Sequence, residues 1–405
     1  MRIVFVNLHT NWMLVKNSSV FLFKNSAAVK HKYLLDYLLQ HPEKYQVCNF
    51  INDRGFSIYT RGSNFVQRLL RPLAYLENHI ILKKNKINPG DVKVIKNIDD
   101  IKKDDLVIVY NLIQSNYRML DKVDAFKAAS LIHFGGQAKQ YDLISEAGIN
   151  CLFCEVNLEK TSEVYRRYSK LKLPWVVHPF VYADRFKMIK PFSERKNKAF
   201  SVGTITYKYE SEFIEVYGDP CDQPIRKIVK DNPDYFSDTV DCYSQDYLED
   251  DTSKTISKSD NAFVALYKRI YNRTHTGRQK KYFSFDMVEK FNEYKMHIVG
   301  EEILGVPGIG YVEGMACGSA YIGLDSPMYR DLGLIPGVHY IAYDGTKEGL
   351  RSTIEYYQKP ENQKELERIA MTGCQYVREN FCGPKVAECL MHFLEREQRD
   401  LLVAN

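Results

Sequence analysis

The sequence predicts an α/β protein made of two doubly wound, Rossmann-like domains. Its 405 residues leave room for two or three domains with sizeable cores. In both halves, short apolar runs that look buried on both faces alternate with segments of helical spacing, as in parallel sheets covered by helices. A glycine-rich loop at 305–310, followed by a helix and a strand, is typical of ligand binding at the carboxyl ends of such strands.

The first half supplies the elements of an N-terminal domain over 1–186. Its strand candidates are Ile3–Leu8, Leu106–Tyr110, Ala129–Phe134 and Cys151–Val156, and its helix candidates are 27–40 and 116–128. Two polar side chains follow these strands: His133 precedes a Gly-Gly pair, and Glu155 ends the run that begins at Cys151. Carboxyl ends of parallel strands face the ligand crevice, so both are candidate catalytic groups, with Glu155 a candidate general base. The alternative for each is a structural role.

A basic, apolar segment over 61–86 interrupts this domain. Its arginines and lysines alternate with leucines, isoleucines and aromatic residues. We expect a solvated helix with one face on the core. The alternative is peripheral contact with an anionic membrane surface, because basic amphipathic segments lie on such lipids.

The second domain is predicted over 187–384 and opens with a strand that ends at Gly203 and Thr204. Backbone N–H groups there can bind phosphate, and Lys208 would supply a counter-charge. An insertion is expected at about 208–281, because the stretch from Asp231 to Asp251 holds eight acidic residues and no Lys or Arg. Asp231 is a candidate nucleophile or base. The alternatives are a tight turn without a ligand and a solvated acidic surface.

The remaining elements surround the glycine-rich loop. A helix at 283–294 and a strand at 295–300 precede it, and Glu301 and Glu302 end that strand. After the loop we expect a helix from Gly310 to Gly318-Ser319, with Glu313 in its first turns. The later elements are strands at 320–324 and 340–343, helices at 346–358 and 361–379, and a last helix from Pro384 within a terminal segment, 385–405.

Composition narrows the function. A net charge of +5 is too small to indicate nucleic-acid binding. The nine cysteines are scattered and are expected to be reduced, and no metal site is predicted. The first apolar run is too short for a signal peptide, and no run reaches the roughly 18 apolar residues that span a bilayer. We therefore expect a cytoplasmic protein, bound at most to the inner face of the membrane.

Two stretches resemble GT-B glycosyltransferases. The run from Glu313 to Gly318, Glu-Gly-Met-Ala-Cys-Gly, is similar to the second half of the donor motif in which two glutamates are separated by seven residues. The first glutamate would stand at Gly305, so that half is absent. The stretch 175–186, which contains His178-Pro179, is similar to the segment between the two domains, and the turn at Gly203 is similar to the first turn of the donor domain.

The resemblance implies a metal-independent glycosyltransferase whose two domains face a central cleft and whose last helix returns to the first domain. A nucleotide-sugar is the donor, no further cofactor is needed, and a glycan or lipid-linked glycan is the acceptor in bacterial surface polysaccharide or lipopolysaccharide synthesis. Glu313 would hold the ribose, and His297, Glu301 or Glu302 would replace the missing sugar contact. The full set of implied donor-binding residues is His178, Gly203, Thr204, Lys208, His297, Glu301, Glu302, Gly308, Gly310, Glu313, Gly318 and Ser319.

Two alternatives stay open. The first is a transferase of an acidic, Kdo-type sugar from a CMP donor, since His178-Pro179 is similar to a pair in such enzymes. The second, of another class, is a nucleotide-sugar-binding protein without catalysis, since half of the glutamate motif is absent.

Overall fold

The computed structural model describes most of the chain and divides it into two compact units. The described residues are 1–6, 32–50, 75–76, 78–80, 82–83, 85–109, 120–131, 138–246, 261, 263–268 and 285–404. Unit 1 comprises Met1–Cys154, Tyr168–His178 and Gly383–Asn405, and unit 2 comprises Glu155–Arg167 and Pro179–Cys382. His133 and most of the segment 61–86 lie outside the described residues, so the expectations for them stay predictions.

Strands and helices alternate along the chain. The strands are β1 (Arg2–Val6), β2 (Gln46–Phe50), β3 (Lys93–Ile95), β4 (Leu106–Val109), β5 (Phe126–Ser130), β6 (Cys151–Cys154), β7 (Trp175–Val177), β8 (Lys196–Ser201), β9 (Thr204–Ile205), β10 (Val240–Cys242), β11 (Gln245–Asp246), β12 (Tyr294–Ile298), β13 (Ala320–Leu324) and β14 (Ile341–Tyr343). The helices are α1 (Lys32–Gln40), α2 (Ala138–Glu146), α3 (Leu158–Thr161), α4 (Glu163–Tyr168), α5 (Ser211–Tyr217), α6 (Pro224–Asp231), α7 (Pro233–Phe236), α8 (Met287–Glu293), α9 (Gly310–Ala316), α10 (Pro327–Arg330), α11 (Lys347–Gln358), α12 (Gln363–Asn380) and α13 (Gly383–Ala404).

Unit 1 contains a seven-stranded parallel sheet in the order β3-β2-β1-β4-β5-β6-β7. The first six positions repeat the Rossmann order, which confirms the predicted doubly wound class. Its core forms where β1 side chains such as Phe5 meet Leu34 and Leu38 of α1 and Leu390 of α13. Leu34 and Leu38 are four residues apart, so they lie on one face of the helix and are buried together.

One predicted element of unit 1 is wrong over part of its length. The helix expected at 116–128 gives way to strand β5 at Phe126, and all five residues of β5 are buried. Lys127 lies in this buried strand because its ammonium donates to the carbonyl oxygens of Leu120 and Val123, at 2.8 Å each. The ammonium of Lys127 is therefore satisfied by backbone acceptors inside the protein.

Unit 2 contains a five-stranded parallel sheet in the order β10-β8-β12-β13-β14. Counted along the chain this is the order 2-1-3-4-5, the other common doubly wound arrangement. The strand order reverses between β8 and β12, which pair directly, His297 with Phe200 and Ile298 with Ser201. Ligands bind at such a switch point, outside the carboxyl ends of the two strands.

The first part of the predicted insertion contributes to this sheet. Helices α5, α6 and α7 lie within 208–246, and β10 pairs with β8, Val240 beside Ala199. Phe236 and Val240 are buried in the unit 2 core with Ile225 and Val229 of α6. An acidic composition therefore did not exclude a core strand, because Val240 is the residue of β10 that faces the core while Asp241 is partly exposed.

Within the part of the chain that the structure describes, no helix combines the length and the apolarity needed to cross a bilayer.

Candidate functional site

Two glycines end the strands at the switch point of unit 2. Gly203 follows β8 with φ of 141° and Gly300 follows β12 with φ of 69°, conformations that favour glycine. A Cβ atom at Gly203 would stand 2.6 Å from Cζ of Arg226, and one at Gly300 would stand 2.9 Å from Cγ of the same side chain. Both glycines therefore make room for Arg226.

Arg226 reaches this point from the first turn of α6. Its guanidinium is buried and donates from Nη1 to the carbonyl oxygen of Thr204 at 2.7 Å, from Nη2 to that of Gly300 at 3.3 Å, and from Nε to that of Val299. Burial lowers the pKa of the guanidinium from its usual range, while the charges of Glu302, Asp222 and Glu301 oppose that shift. The result is a buried cation at the carboxyl ends of β8 and β12.

The glycine-rich loop lies against the same cation. A Cβ atom at Gly308 would stand 2.8 Å from Nη2 of Arg226, and one at Gly310 would stand 3.0 Å from a methyl carbon of Val299. The helix predicted to begin at Gly310 does so, as α9. The turn predicted to bind phosphate, 203–204, and the predicted donor-binding residue Gly308 thus lie beside one guanidinium, while Gly310 packs against Val299.

Nothing in the local sequence marked Arg226. It is one of three basic residues in α6, with Lys227 and Lys230, and looks like part of a solvated helix face. The sequence contains only an indirect indication, namely the two glycines that follow separate strands, Gly203 and Gly300, which both lie beside this side chain.

Lys208, the predicted counter-charge, is paired within unit 2. Its ammonium lies 2.7 Å from Oδ2 of Asp222 and 3.9 Å from Oε2 of Glu302. Asp222 is buried, and the same oxygen accepts a hydrogen bond from Nε2 of Gln223 at 3.0 Å. The backbone of Ile303 donates to the carbonyl oxygen of Asp222 at 2.7 Å, which ties the loop after β12 to this cluster.

Glu301 holds the carboxyl end of β12 to that of β13. Its Oε1 accepts hydrogen bonds from the hydroxyls of Tyr321 at 3.0 Å and Tyr329 at 2.8 Å and from the backbone N–H of Leu324 at 2.9 Å. The carboxylate is buried. Glu301 therefore already links two strand ends through its hydrogen bonds, and its predicted contact with a donor stays a prediction.

The absence of a glutamate at Gly305 has a physical reason. The residue has φ of 81°, and its N–H donates to the carbonyl oxygen of Glu302 at 2.8 Å in a tight turn. A Cβ atom here would overlap the carbonyl oxygen of Thr161. No side chain fits at this position, so a sugar contact has to come from another residue.

Glu313 lies in the first turns of α9, as predicted. No described residue donates a hydrogen bond to its carboxylate. Burial raises the pKa of this carboxyl group from 4.5 to about 7, against the opposing charge of Arg185. The carboxylate of Glu313 can therefore accept hydrogen bonds from the hydroxyls of a sugar.

The buried ring of His297 explains why α9 has a glycine at position 314. The imidazole is fully buried, with Nδ1 3.1 Å from Oγ of Ser319 and Nε2 3.3 Å from the carbonyl oxygen of Tyr311. Burial lowers its pKa to about 3, so the ring is neutral. A Cβ atom at Gly314 would overlap this ring. The structure therefore gives His297 and Ser319 packing contacts, and their predicted contact with a donor stays a prediction.

Gly318 lies at the other end of α9. It has φ of 71°, and its carbonyl oxygen accepts a hydrogen bond from Nη1 of Arg195 at 2.9 Å. Because α9 runs antiparallel to the strands, this end is at the amino edge of the sheet, away from the switch point. We leave Gly318 out of the proposed site for that reason.

The other predicted residues are dispersed. His178 is buried in unit 1, with its ring 5.9 Å from that of Phe153. Glu155 directly follows β6, is buried, and its charge adds to the burial that raises the pKa of Tyr311. Asp231 ends α6 on the surface, where it pairs with Lys227 and Lys230. Their predicted roles stay predictions.

Of the comparisons with known proteins, the one with solved structures found proteins similar to this chain. No protein-family model matches the sequence, and a search of curated proteins returns no relative. Sucrose-phosphate synthase from Thermosynechococcus elongatus is similar with a TM-score of 0.51 and 12% identity, over 100% of both chains. HepE from Anabaena in complex with UDP and glucose is similar with a TM-score of 0.50 and 10% identity, over 98% of this chain and 100% of its own.

These likenesses show the fold. Together with the two parallel sheets, they confirm the predicted class, an α/β protein of GT-B type with two Rossmann-like domains. At such low identity they do not carry over an activity or a substrate.

Proposed function

We propose that this protein is a glycosyltransferase that moves a sugar from a nucleotide-activated donor to a glycan or glycolipid acceptor. The observation that carries the proposal is the switch point of unit 2, where two glycine loops meet over the buried guanidinium of Arg226. Backbone N–H groups and a cation at the carboxyl ends of parallel strands favour a phosphate-containing ligand. HepE, which shares the fold, is described with UDP and glucose.

The donor would occupy the carboxyl edge of the unit 2 sheet. Its phosphates would bind at Gly203, Thr204, Gly308 and Gly310, and Glu313 would accept hydrogen bonds from the ribose hydroxyls. Glu302, which is partly exposed beside Lys208, would contact the sugar, since Gly305 has no room for a side chain.

In the reaction, the bond between the sugar's anomeric carbon and the phosphate oxygen breaks, and an acceptor oxygen forms the new bond. The acceptor's proton passes to a base, for which His133 and Glu155 are the predicted candidates, with Asp231 the third. Positioning the reactants and stabilising the leaving phosphate supply most of the rate gain in such a site. The finer proposal is a role in bacterial surface polysaccharide or lipopolysaccharide synthesis.

Calorimetry with UDP, GDP, ADP, CMP and their sugars, followed by turnover of the bound sugar nucleotide, tests the proposal. We expect one nucleotide to bind, and Glu313→Ala to weaken it roughly tenfold or more, because a hydrogen bond to a charged group is worth about 1.5–3 kcal/mol. Glu348→Ala is the matched control, since Glu348 occupies the first turn of α11 and is exposed. Unchanged binding in a folded Glu313→Ala protein would contradict the ribose assignment.

A nucleotide-sugar-binding protein without catalysis is the second candidate. It is favoured by Gly305, where the turn excludes the carboxylate that the donor motif would place there. Tight binding of a sugar nucleotide with no hydrolysis or transfer, in the presence of glycan acceptors, would support it over the enzyme.

A further inference from the structure

We propose that a helical turn at 263–268 is a contact site for an anionic lipid surface. The turn belongs to unit 2 and lies within the insertion predicted at about 208–281. Its apolar side chains would enter the headgroup region, and the positive charge of the surrounding sequence would attract anionic headgroups. The inference goes beyond the proposed function, since it depends neither on a donor site nor on catalysis. It also concerns a different segment from 61–86, for which the sequence alone raised membrane contact.

The turn is helical for a local reason, which is the cap at Asn261. The side-chain Oδ1 of Asn261 accepts a hydrogen bond from the backbone N–H of Val264 at 2.9 Å. Its carbonyl oxygen accepts one from the backbone N–H of Ala265, also at 2.9 Å. Asparagine is among the residues preferred at the start of a helix, because its side chain satisfies an N–H group that has no partner within the helix.

One face of this turn is apolar and exposed. Phe263, Leu266 and Tyr267 are three and four residues apart, so their side chains lie on the same side of the helix. Their exposed fractions are 84%, 48% and 56%. Fourteen large hydrophobic side chains are exposed in the described part of the chain, and these three and Val264 are four of them. Apolar side chains concentrated in this way mark an interaction surface, whereas single exposed ones do not.

Helix α1 has the same spacing with the opposite burial. Its residues Leu34 and Leu38 are buried in the core of unit 1. Most of the stability of a helix in a protein comes from packing such an apolar face, and a helix as short as 263–268 is marginal in water. A surface that covers Phe263 and Leu266 would therefore stabilise the turn.

The charge of the surrounding sequence favours an anionic surface. Between 252 and 281 there is one acidic residue, Asp260, against eight basic residues. The basic residues are Lys254, Lys258, Lys268, Arg269, Arg273, Arg278, Lys280 and Lys281. Lysines and arginines around an apolar helical face are typical of segments that lie on anionic lipid. A second copy of the chain would bring the same positive charge to this face, and like charges oppose such a dimer.

Carboxylates that precede this stretch have cation partners elsewhere in unit 2. Asp238 lies 2.9 Å from Arg351. Asp241 lies 3.1 Å from Lys198. These acids therefore pair with cations outside 252–281, and the positive charge of that stretch is left to attract an anionic partner.

The test is co-sedimentation of the full chain with vesicles of phosphatidylcholine alone and of phosphatidylcholine with roughly one third phosphatidylglycerol. We expect the wild-type protein to bind the anionic vesicles more tightly than the neutral ones. Binding should weaken between about 0.1 M and about 0.5 M salt, because the attraction of charges is screened. Part of it should survive the high salt, because the apolar side chains enter the headgroup region.

A neutral double substitution separates the apolar contact from the charge. Phe263→Ser with Leu266→Ser should lower the partition onto anionic vesicles roughly tenfold or more, since two apolar side chains no longer leave water. Ile335→Ser with Tyr356→Ser is the matched control. It also removes two exposed hydrophobic side chains of unit 2, but they lie outside 263–268. This control should keep the partition within about twofold of wild type.

Phe263→Trp reports the contact directly. It keeps an aromatic ring at the exposed position, so binding should be retained. The emission that it adds to that of wild type should shift to shorter wavelength on anionic vesicles, as the indole moves from water to the interface. Thermal midpoints of all these variants without vesicles should stay close to wild type, because the substituted side chains are exposed.

Four results would overturn the inference. The first is a wild-type protein that does not bind anionic vesicles at low salt. The second is equal binding by wild type and the Phe263→Ser, Leu266→Ser variant, which would place the contact on another surface. The third is a dimer, measured by light scattering, that this variant dissociates with vesicle binding unchanged. The fourth is a preference for a nucleic-acid duplex over anionic vesicles. Nucleotide binding and turnover are measured separately, so failure of the proposed function would leave this inference standing, and the reverse.

Discussion

The two edges of the unit 2 sheet each carry a buried arginine, and the two arginines are used differently. At the amino edge, Arg195 joins the end of α9 to the residues before β8 and β12, and its donors are occupied. At the carboxyl edge, Arg226 lies among glycines and makes three hydrogen bonds to the described part of the chain, all to backbone carbonyl oxygens. Helix α9 connects the two edges, since it begins at the glycine-rich loop and ends against Arg195.

The difference shows how one fold separates stability from binding. Satisfied carbonyls at the amino edge hold the sheet and its helices together, while at the carboxyl edge the carboxylate of Glu313 receives no hydrogen bond from the residues that the structure describes. Sites that bind ligands commonly keep such unsatisfied or strained groups, at a cost to stability that the rest of the fold offsets. Variants at the two edges should therefore fail in different assays.

The largest effect is expected from Arg195→Met. The carbonyl oxygens of Cys317 and Gly318 would lose hydrogen bonds of 2.9 Å inside the protein, and each buried unsatisfied group costs about 1–3 kcal/mol. We expect the free energy of unfolding, measured in urea, to fall by about 3–5 kcal/mol, with nucleotide affinity unchanged for the folded fraction. A fall below about 1 kcal/mol would show that water replaces the guanidinium.

Glu301→Ala should come next. It removes the acceptor of Tyr321, Tyr329 and the Leu324 N–H together, so we expect a loss of about 3 kcal/mol in the free energy of unfolding. Tyr329→Phe is the matched control, because it removes one donor and should cost about 1 kcal/mol. Equal losses in the two variants would contradict a shared acceptor at Glu301.

Gly305→Ala tests the turn that excludes the missing glutamate. Both positive φ and overlap with Thr161 oppose a side chain, so we expect a loss of about 2–3 kcal/mol. Gly337→Ala is the control, since Gly337 has φ of 73° but open space around its Cβ position, and should cost about 1 kcal/mol. Chemical unfolding of both variants measures the two losses, and their difference is the cost of the overlap with Thr161. Equal losses would contradict that overlap.

Glu313 predicts a pH dependence at the carboxyl edge. Its pKa is raised from 4.5 to about 7 in the folded protein, so between these values the folded state keeps a proton that the unfolded state has lost. The free energy of unfolding should therefore fall as the pH rises from about 4.5 to about 7, by at most about 3 kcal/mol, and level off above.

Glu313→Gln should remove that fall. If Glu313 accepts hydrogen bonds from the ribose, affinity for a sugar nucleotide should also rise as the pH increases through about 7, because the carboxylate is then ionised. A sugar nucleotide is the suitable ligand, since its diphosphate has no terminal phosphate proton to titrate. A pH profile that is the same in wild type and Glu313→Gln would show that the group titrates elsewhere.

Asp231→Asn should have the smallest effect on stability. Its ion pairs with Lys227 and Lys230 are on the surface, so the free energy of unfolding should change by less than about 0.5 kcal/mol. Turnover is the informative measurement: general-base catalysis is worth about 10²–10⁴-fold, and a loss of that order would support the predicted catalytic role. Normal turnover would show that Asp231 has no catalytic role and forms only surface ion pairs.

Sequence patterns located the long elements and the turns of unit 2 well. The loop before Gly310, the helix that carries Glu313 and the strand at 320–324 have the expected positions, because glycine punctuation and apolar runs are local signals. Strands β2, β3 and β10 were not predicted, and β3 and β10 have only three residues, too few for a readable period. The first part of β5 was assigned to a helix because 116–128 has helical spacing, whereas Ala129 and Ser130 fall within the strand predicted at 129–134.

The sequence by itself determined the class of fold and the places where the backbone needs glycine, since propensity, periodicity and positive φ are properties of short segments. Only the tertiary structure decided what those glycines are for. Gly314 makes room for His297, Gly305 for Thr161, and Gly203, Gly300 and Gly308 for Arg226. Each partner comes from a distant part of the chain, and packing against such a partner is a property of the folded sheet that no local pattern encodes.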